Sequence, residues 1–169
     1  MIAVVLDKNK HDRKSFDCGI KPLNSYLQLM ASQQSLKDNS RTYVIENKEN
    51  SKKIIGFYTL TMIGIDLKKL PLNLQKKHRD NNSVALIARL AVDKQYANQG
   101  IGSWLLVDAL NKILSASDVV GFSMIVVDAK DGVMSFYEKF GFTPFMDENN
   151  KLFITIADVR ASFTNTTKS

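Results

Sequence analysis

Cysteine and histidine are nearly absent. The 169 residues hold one cysteine, Cys18, and two histidines, His11 and His78. A single thiol excludes an internal disulfide and agrees with a reducing, cytoplasmic setting. Cys18 reads as a small half-buried thiol rather than a nucleophile served by either histidine. No metal site is expected. Also missing is any apolar run near the ~20 residues of a membrane span, so no membrane association is expected. The opening Met1-Ile-Ala-Val-Val-Leu-Asp7 has neither a basic stretch nor a cleavage site, and no signal peptide is expected. There is no internal repeat, low-complexity tract or linker. The chain therefore reads as one domain over residues 1–163, with a flexible tail over 164–169.

What remains is an ordinary globular composition, 44% hydrophobic and 24% charged, in a chain long enough for one packed core. The formal net charge is +6. That balance favours polyanionic partners through electrostatic steering; a lysine-rich proteome would give the same figure. The cations lie at Lys8 to Lys14, Lys52-Lys53, Lys68-Lys69 and Lys76 to Arg79, spread along the chain.

Hydrophobic periodicity predicts strands over residues 2–6, 41–46, 54–65, 84–92, 122–127 and 152–157. A helix is predicted from Pro22 to about Lys37, with Leu23, Tyr26, Leu27, Met30 and Ala31 on its apolar face. A shorter helix is expected over 70–78, with Pro71 in its first turn.

The stretch that carries most chemistry is Ala88-Arg-Leu-Ala-Val-Asp93, then Asn98-Gln-Gly-Ile-Gly-Ser103, then Trp104-Leu-Leu-Val-Asp-Ala-Leu110. An apolar strand runs into a glycine-spaced turn that opens into a helix. A helix N-terminus offers unpaired N–H groups and a positive dipole end, and glycine lets a phosphate approach. A nucleoside-triphosphate loop would need Lys and Ser/Thr after the last glycine, but Ser103 and Trp104 follow Gly102. A dinucleotide fingerprint would need a third glycine, where Leu105 stands, and an early place in the chain. A plain turn requiring positive φ is the remaining structural reading.

Gly100-Ile-Gly102 resembles the glycine half of the acetyl-CoA loop of GNAT N-acetyltransferases. Ser135-Phe-Tyr-Glu-Lys-Phe-Gly-Phe142 resembles that family's C-terminal signature, with Gly141 as helix stop and Phe142 opening a strand. Phe16-Asp-Cys-Gly19, Leu23-Asn-Ser-Tyr-Leu27, Ala31-Ser-Gln33, Arg41-Thr-Tyr-Val44 and Arg89-Leu-Ala-Val-Asp93 resemble one GNAT subgroup. That subgroup is the acetyltransferase toxins of bacterial toxin–antitoxin pairs, which acetylate the α-amine of aminoacyl-tRNA and block translation.

The resemblance implies an α/β (α+β) GNAT fold, a mixed central sheet of about six to seven strands flanked by about four helices. It implies acetyl-CoA as co-substrate, aminoacyl-tRNA as acceptor, a ribbon–helix–helix antitoxin and a homodimer. Backbone N–H groups of Gln99, Gly100, Ile101, Gly102 and Ser103 would hold the pyrophosphate. Those of Leu90, Ala91 and Val92, at a bulge in the fourth strand, would meet the pantetheine arm and acetyl oxygen. Tyr137 would be the acid for the departing thiolate. The family's leading Gln/Arg falls at Ala97, so binding rests on backbone groups, with Lys94 or Gln95 as side-chain candidates. A common family asparagine falls at Lys130, and its contact is not carried over. No carboxylate stands out as a base: Asp93, Asp108 and Asp128 have equal structural roles, and Glu46 could serve once folded. Arg89, on an otherwise apolar strand, would either contact the acceptor end of tRNA or form a structural ion pair. Other readings are a GNAT acting on a small amine, polyamine or protein N-terminus, or a non-catalytic acyl-CoA-binding module.

Overall fold

β-Branched and aromatic runs build the sheet. A computed structural model describes residues 1–130 and 132–166. Its strands are β1 (Ala3–Val5), β2 (Arg41–Glu46), β3 (Ile54–Gly64), β4 (Ser83–Val92), β5 (Met124–Asp128), β6 (Thr143–Pro144) and β7 (Lys151–Thr155). They form one seven-stranded sheet in the order β1-β2-β3-β4-β5-β7-β6. β1 and β3 flank β2 antiparallel, β4 and β5 pair parallel, and β7 pairs antiparallel with β5 and β6. The sheet is therefore mixed, as the family resemblance implied. The β4–β5 ladder joins Ala85–Ile87 to Ile125–Val127, and β4 continues past it to Val92. The β2–β3 ladder has a register shift between Ile45 and Glu46.

The helices are α1 (Lys21–Ser25), α2 (Ala31–Leu36), α3 (Leu72–Lys77), α4 (Ile101–Ser117), α5 (Met134–Glu138) and α6 (Ile156–Thr166). Between α1 and α2 the chain makes a π-helical segment, Tyr26–Met30, where a single α-helix was expected. The wider turn changes the face presented. Tyr26, Leu27 and Ala31 are buried as expected, but Met30 turns out to solvent. A 3-10 turn, Leu67–Lys69, precedes α3, and Pro71 caps that helix rather than entering it.

The chain divides into two compact units: Met1–Thr61 with Ala88–Ala109, and Met62–Ile87 with the chain from Leu110 onward. The first is built on Phe16, Tyr26, Leu27, Ala31, Val44, Ile54, Phe57 and Ala91. Phe16 meets Phe57 edge-on, with ring centroids 5.3 Å apart. The second is built on Leu70, Val84, Met124, Val126, Phe145 and Phe153. Met124–Val127 are all buried, which accounts for the unbroken apolar run of β5.

The end of the chain departs from expectation. The last strand stops at Thr155 instead of running to Ala157. Thr155 Oγ1 accepts the Asp158 N–H at 3.1 Å and starts α6. Residues 164–166 finish that helix rather than beginning a tail; 167–169 lie outside the described residues.

Gly56 lies where β3, β4 and α4 approach closely. A Cβ built there would lie 2.9 Å from Leu105 Cδ1 and 3.2 Å from the Ala91 carbonyl oxygen. Gly56→Ala is expected to destabilise the fold by about 1–3 kcal/mol through overpacking of β3 against α4 and β4. Denaturant unfolding measures this; an unchanged midpoint would show that the contact yields freely.

Candidate active site

The turn after β4 is held from both sides. Asp93 is buried, and its carboxylate accepts the Asp17 N–H at 3.0 Å and the Gln95 N–H at 2.9 Å. Its own N–H donates to the Ile55 carbonyl at 3.0 Å. Asp17 in turn binds Lys94 at 2.5 Å and accepts from the Gly19 N–H and the Asn24 amide. Lys94 first, then Gly19 and Asn24, draw the Asp17 carboxyl down from 3.8 to about 2.

Asn98 (φ 60°) and Gly100 (φ 76°) then turn the backbone left-handed, and α4 begins at Ile101. A Cβ at Gly100 would meet nothing within 4 Å, so the space over the turn is open. The Trp104 N–H is the first to close a helical bond, to the Gly100 carbonyl at 3.1 Å. The N–H groups of Ile101, Gly102 and Ser103 are those a helix leaves unpaired. No acidic residue occupies the first turn of α4, so nothing on the helix neutralises its positive end. This arrangement fits a pyrophosphate. Gly102 lies inside the helix and needs no positive φ; of the two glycines, Gly100 makes the turn.

The side chains offered as substitutes for the missing polar group at Ala97 are engaged elsewhere. Lys94 pairs with Asp17, and Gln95 Oε1 accepts from Lys53 Nζ at 2.6 Å. Ala91 faces the first core, while Leu90 and Val92 are half-buried.

Among the described residues, Arg89 does not form the structural ion pair expected as one of its two roles. Its guanidinium carbon sits 3.7 Å from the centroid of the Tyr26 ring. Among the described residues this aromatic face, not a carboxylate, is its partner. Helical spacing does not foretell Tyr26 in that place, because its position depends on the π-helical segment.

The candidate bases are also accounted for. Glu46 is bound by Lys10 at 2.5 Å and His11 at 2.9 Å, and Lys10, then His11, hold its carboxyl below the ordinary range. Asp108 accepts the Tyr58 hydroxyl at 2.5 Å, and Asp128 lies 3.6 Å from Lys130. Cys18 is half-buried, burial pushes its thiol up, and its Sγ–H meets the Ile20 carbonyl rather than a histidine.

Tyr137 belongs to the second unit. It is 5% exposed on α5, between Phe136 and Phe142, with centroids 5.1 and 5.6 Å away. Gly141, at φ 89°, ends the helix, and the Phe142 N–H returns to the Tyr137 carbonyl at 3.3 Å. Phe142 thus seals the turn, and β6 opens one residue later than expected. Among the described residues the Tyr137 hydroxyl makes no hydrogen bond. Burial, with Asp128 secondary, pushes it up to about 12. Among the described residues no group of three or more His, Cys, Asp or Glu could hold a metal ion, and no helix is long and apolar enough to cross a membrane.

The family description "Acetyltransferase (GNAT) domain" matches residues 38–144, across the turn, α4 and Tyr137. The chain belongs to the GNAT acetyltransferase family. Among its GNAT relatives is the tRNA-acetylating toxin of Mycobacterium tuberculosis, 30% identical over 151 residues, covering 89% of each chain. The structure of AtaT complexed with acetyl-methionyl-tRNAfMet superposes with a TM-score of 0.86 at 28% identity, over 96% of this chain and 98% of that one. A tyrosine-to-phenylalanine variant of AtaT, bound to the C-terminus of the antitoxin AtaR and acetyl-CoA, gives 0.80 at 27% identity, over 96% and 98%.

In this GNAT the Asp17 cluster makes stability acid-sensitive. The folded value near 2 lies below the ordinary 3.8, so its contribution is complete above 3.8 and is lost as pH falls toward 2. Stability of the native protein should fall more steeply across that window than that of Asp17→Asn. Parallel curves in pH-dependent unfolding would remove Asp17 as the cause.

Proposed function

We propose that this chain transfers an acetyl group from acetyl-CoA to the α-amine of aminoacyl-tRNA and acts as the translation-blocking toxin of a toxin–antitoxin pair. The observation that carries the reading is the unneutralised N-terminus of α4 beneath open space at Gly100, in a chain whose relatives include a tRNA-acetylating toxin.

When bound, acetyl-CoA supplies an acetyl group activated as a thioester. The N–H groups of Ile101, Gly102 and Ser103, with the turn at Gln99 and Gly100, take the pyrophosphate charge. Backbone N–H groups of Leu90–Val92 serve the acyl oxygen, and such a donor contributes about 3 kcal/mol to lowering a barrier of this kind. Tyr137 Oη gives its proton to the departing sulfur and regains one from the proton released at the acceptor nitrogen. A phenol held near 12 keeps that proton throughout the physiological range.

Among the described residues, each of the four candidate bases already has a partner. Glu46, Asp93 and Asp108 are each bound by side chains or backbone, and Asp128 faces Lys130. A lysine or polyamine nitrogen, near ~10.4, would need one of them; an α-amine, near ~7.7, is already partly neutral. The positive balance of the chain also repels polyamines. With this reading we propose a ribbon–helix–helix antitoxin, a homodimer and a cytoplasmic site of action. AtaT with its bound AtaR segment supports an antitoxin partner, and the single cysteine agrees with a cytoplasmic site.

Labelled acetyl-CoA should mark charged tRNA and leave deacylated tRNA and polyamines unlabelled; label on polyamines alone would sink the proposal. Tyr137→Phe keeps the ring packing and should lower transfer by about 10²–10⁴-fold. The same variant should relieve the growth arrest caused by the unaltered protein in bacteria. The rate should climb with pH through the amine's range near ~7.7 and show no tyrosine-dependent fall below pH ~10.

A further inference from the structure

Arg89 is half-buried, yet among the described residues its guanidinium donates no hydrogen bond and forms no ion pair. A charge so placed is costly unless something outside the chain meets it. Its flat face is already satisfied by the Tyr26 ring, 3.7 Å from the guanidinium carbon. Stacking on the face leaves the five N–H donors of the edge unused, in the fork geometry that matches two oxygens of a phosphate.

Tyr26 is built to hold that stack. It is 4% exposed and packs in the first core with Leu27, Ala31 and Ala91, while its hydroxyl lies 3.2 Å from Ser40 Oγ. It also opens the π-helical segment Tyr26–Met30, a rare turn that recurs at functional sites. Arg89 and Ala91 share one face of β4, the face the first core covers, because side chains alternate along a strand. A regular α-helix over the same residues would carry the ring to a different azimuth.

We propose that Tyr26 is a positioning residue. It locks the plane of Arg89 so that the guanidinium edge receives a backbone phosphate at the acceptor end of the nucleic-acid substrate. The inference rests on the aminoacyl-tRNA reading above and adds to it a residue and a recognised group. Tyr26 would act through Arg89 and touch neither acetyl group nor amine.

The test compares KM for aminoacyl-tRNA with KM for an aminoacyl ethyl ester, which has the same amine and no phosphate. Tyr26→Leu and Arg89→Lys should each raise KM for aminoacyl-tRNA by about tenfold, while KM for the ester and for acetyl-CoA stays within about twofold. Tyr26→Phe, which keeps the ring, should retain the original KM. The double variant Arg89→Lys/Tyr26→Leu should be no worse than Arg89→Lys alone, since both remove one device. Arg89→Lys leaves the core intact, so it carries the test if Tyr26→Leu folds poorly. An equal rise in KM for the ester, additive effects, or an unchanged KM for aminoacyl-tRNA in Arg89→Lys would each overturn the proposal. No label on charged tRNA from the unaltered protein would overturn the functional reading as well; labelling with insensitive variants would overturn this inference alone.

Discussion

The buried carboxylate of Asp93 holds the first unit in a single arrangement. A buried charge is tolerated only when its oxygens are satisfied, and Asp93 satisfies them with backbone N–H groups from Asp17 and Gln95. Through its own N–H it is tied to Ile55. The approach to α1, the strand β3, the end of β4 and the turn into α4 therefore depend on one another. The Asp17–Lys94 pair repeats the connection outside the buried layer. The left-handed turn at Asn98 and Gly100 starts from this fixed point, so the unpaired N–H groups of α4 are aimed by a rigid base and not by a loose loop.

Charge in this unit follows one plan. Asp17, Glu46, Asp93 and Asp108 are matched to partners within the fold, while among the described residues the first turn of α4 and the edge of Arg89 stay open. Both suit oxyanions, one as a helix terminus and the other as a planar fork. Both stand on apolar supports, Gly56 against Leu105 and Ala91 in the first case and Tyr26 in the second. In the second unit, burial of Tyr137 weakens it as an acid but keeps its proton in place.

Much of this was legible along the chain. β2 occupies Arg41–Glu46 as read, α4 begins where the glycine turn ends, and Gly141 has the positive φ its place as helix stop required. These features are local: period, glycine and cap lie within a few residues of each other. α6 was also signalled, by Thr155-Ile-Ala-Asp158, in the spacing of a capping box. The apolar run Leu152-Phe-Ile-Thr-Ile156 hid it, since periodicity there favours a strand. The π-helical segment has no such signature. Its wider turn puts Tyr26 beneath Arg89 and turns Met30 outward, an exchange that helical spacing alone does not report.

Sequence by itself determined the chemical inventory: a glycine turn opening a helix, a tyrosine before a helix-ending glycine, an alanine where a polar contact is usual, and an arginine in an apolar strand. Only folding determined which groups are available. Lys94, Gln95, Glu46 and Asp108 look equally free on paper, yet each is bound by a residue far along the chain, respectively Asp17, Lys53, His11 and Tyr58. Those pairings arise from packing of distant segments and leave no trace in local spacing. The acidity of Tyr137 belongs to the same class, because desolvation is a property of the surroundings and not of the residue.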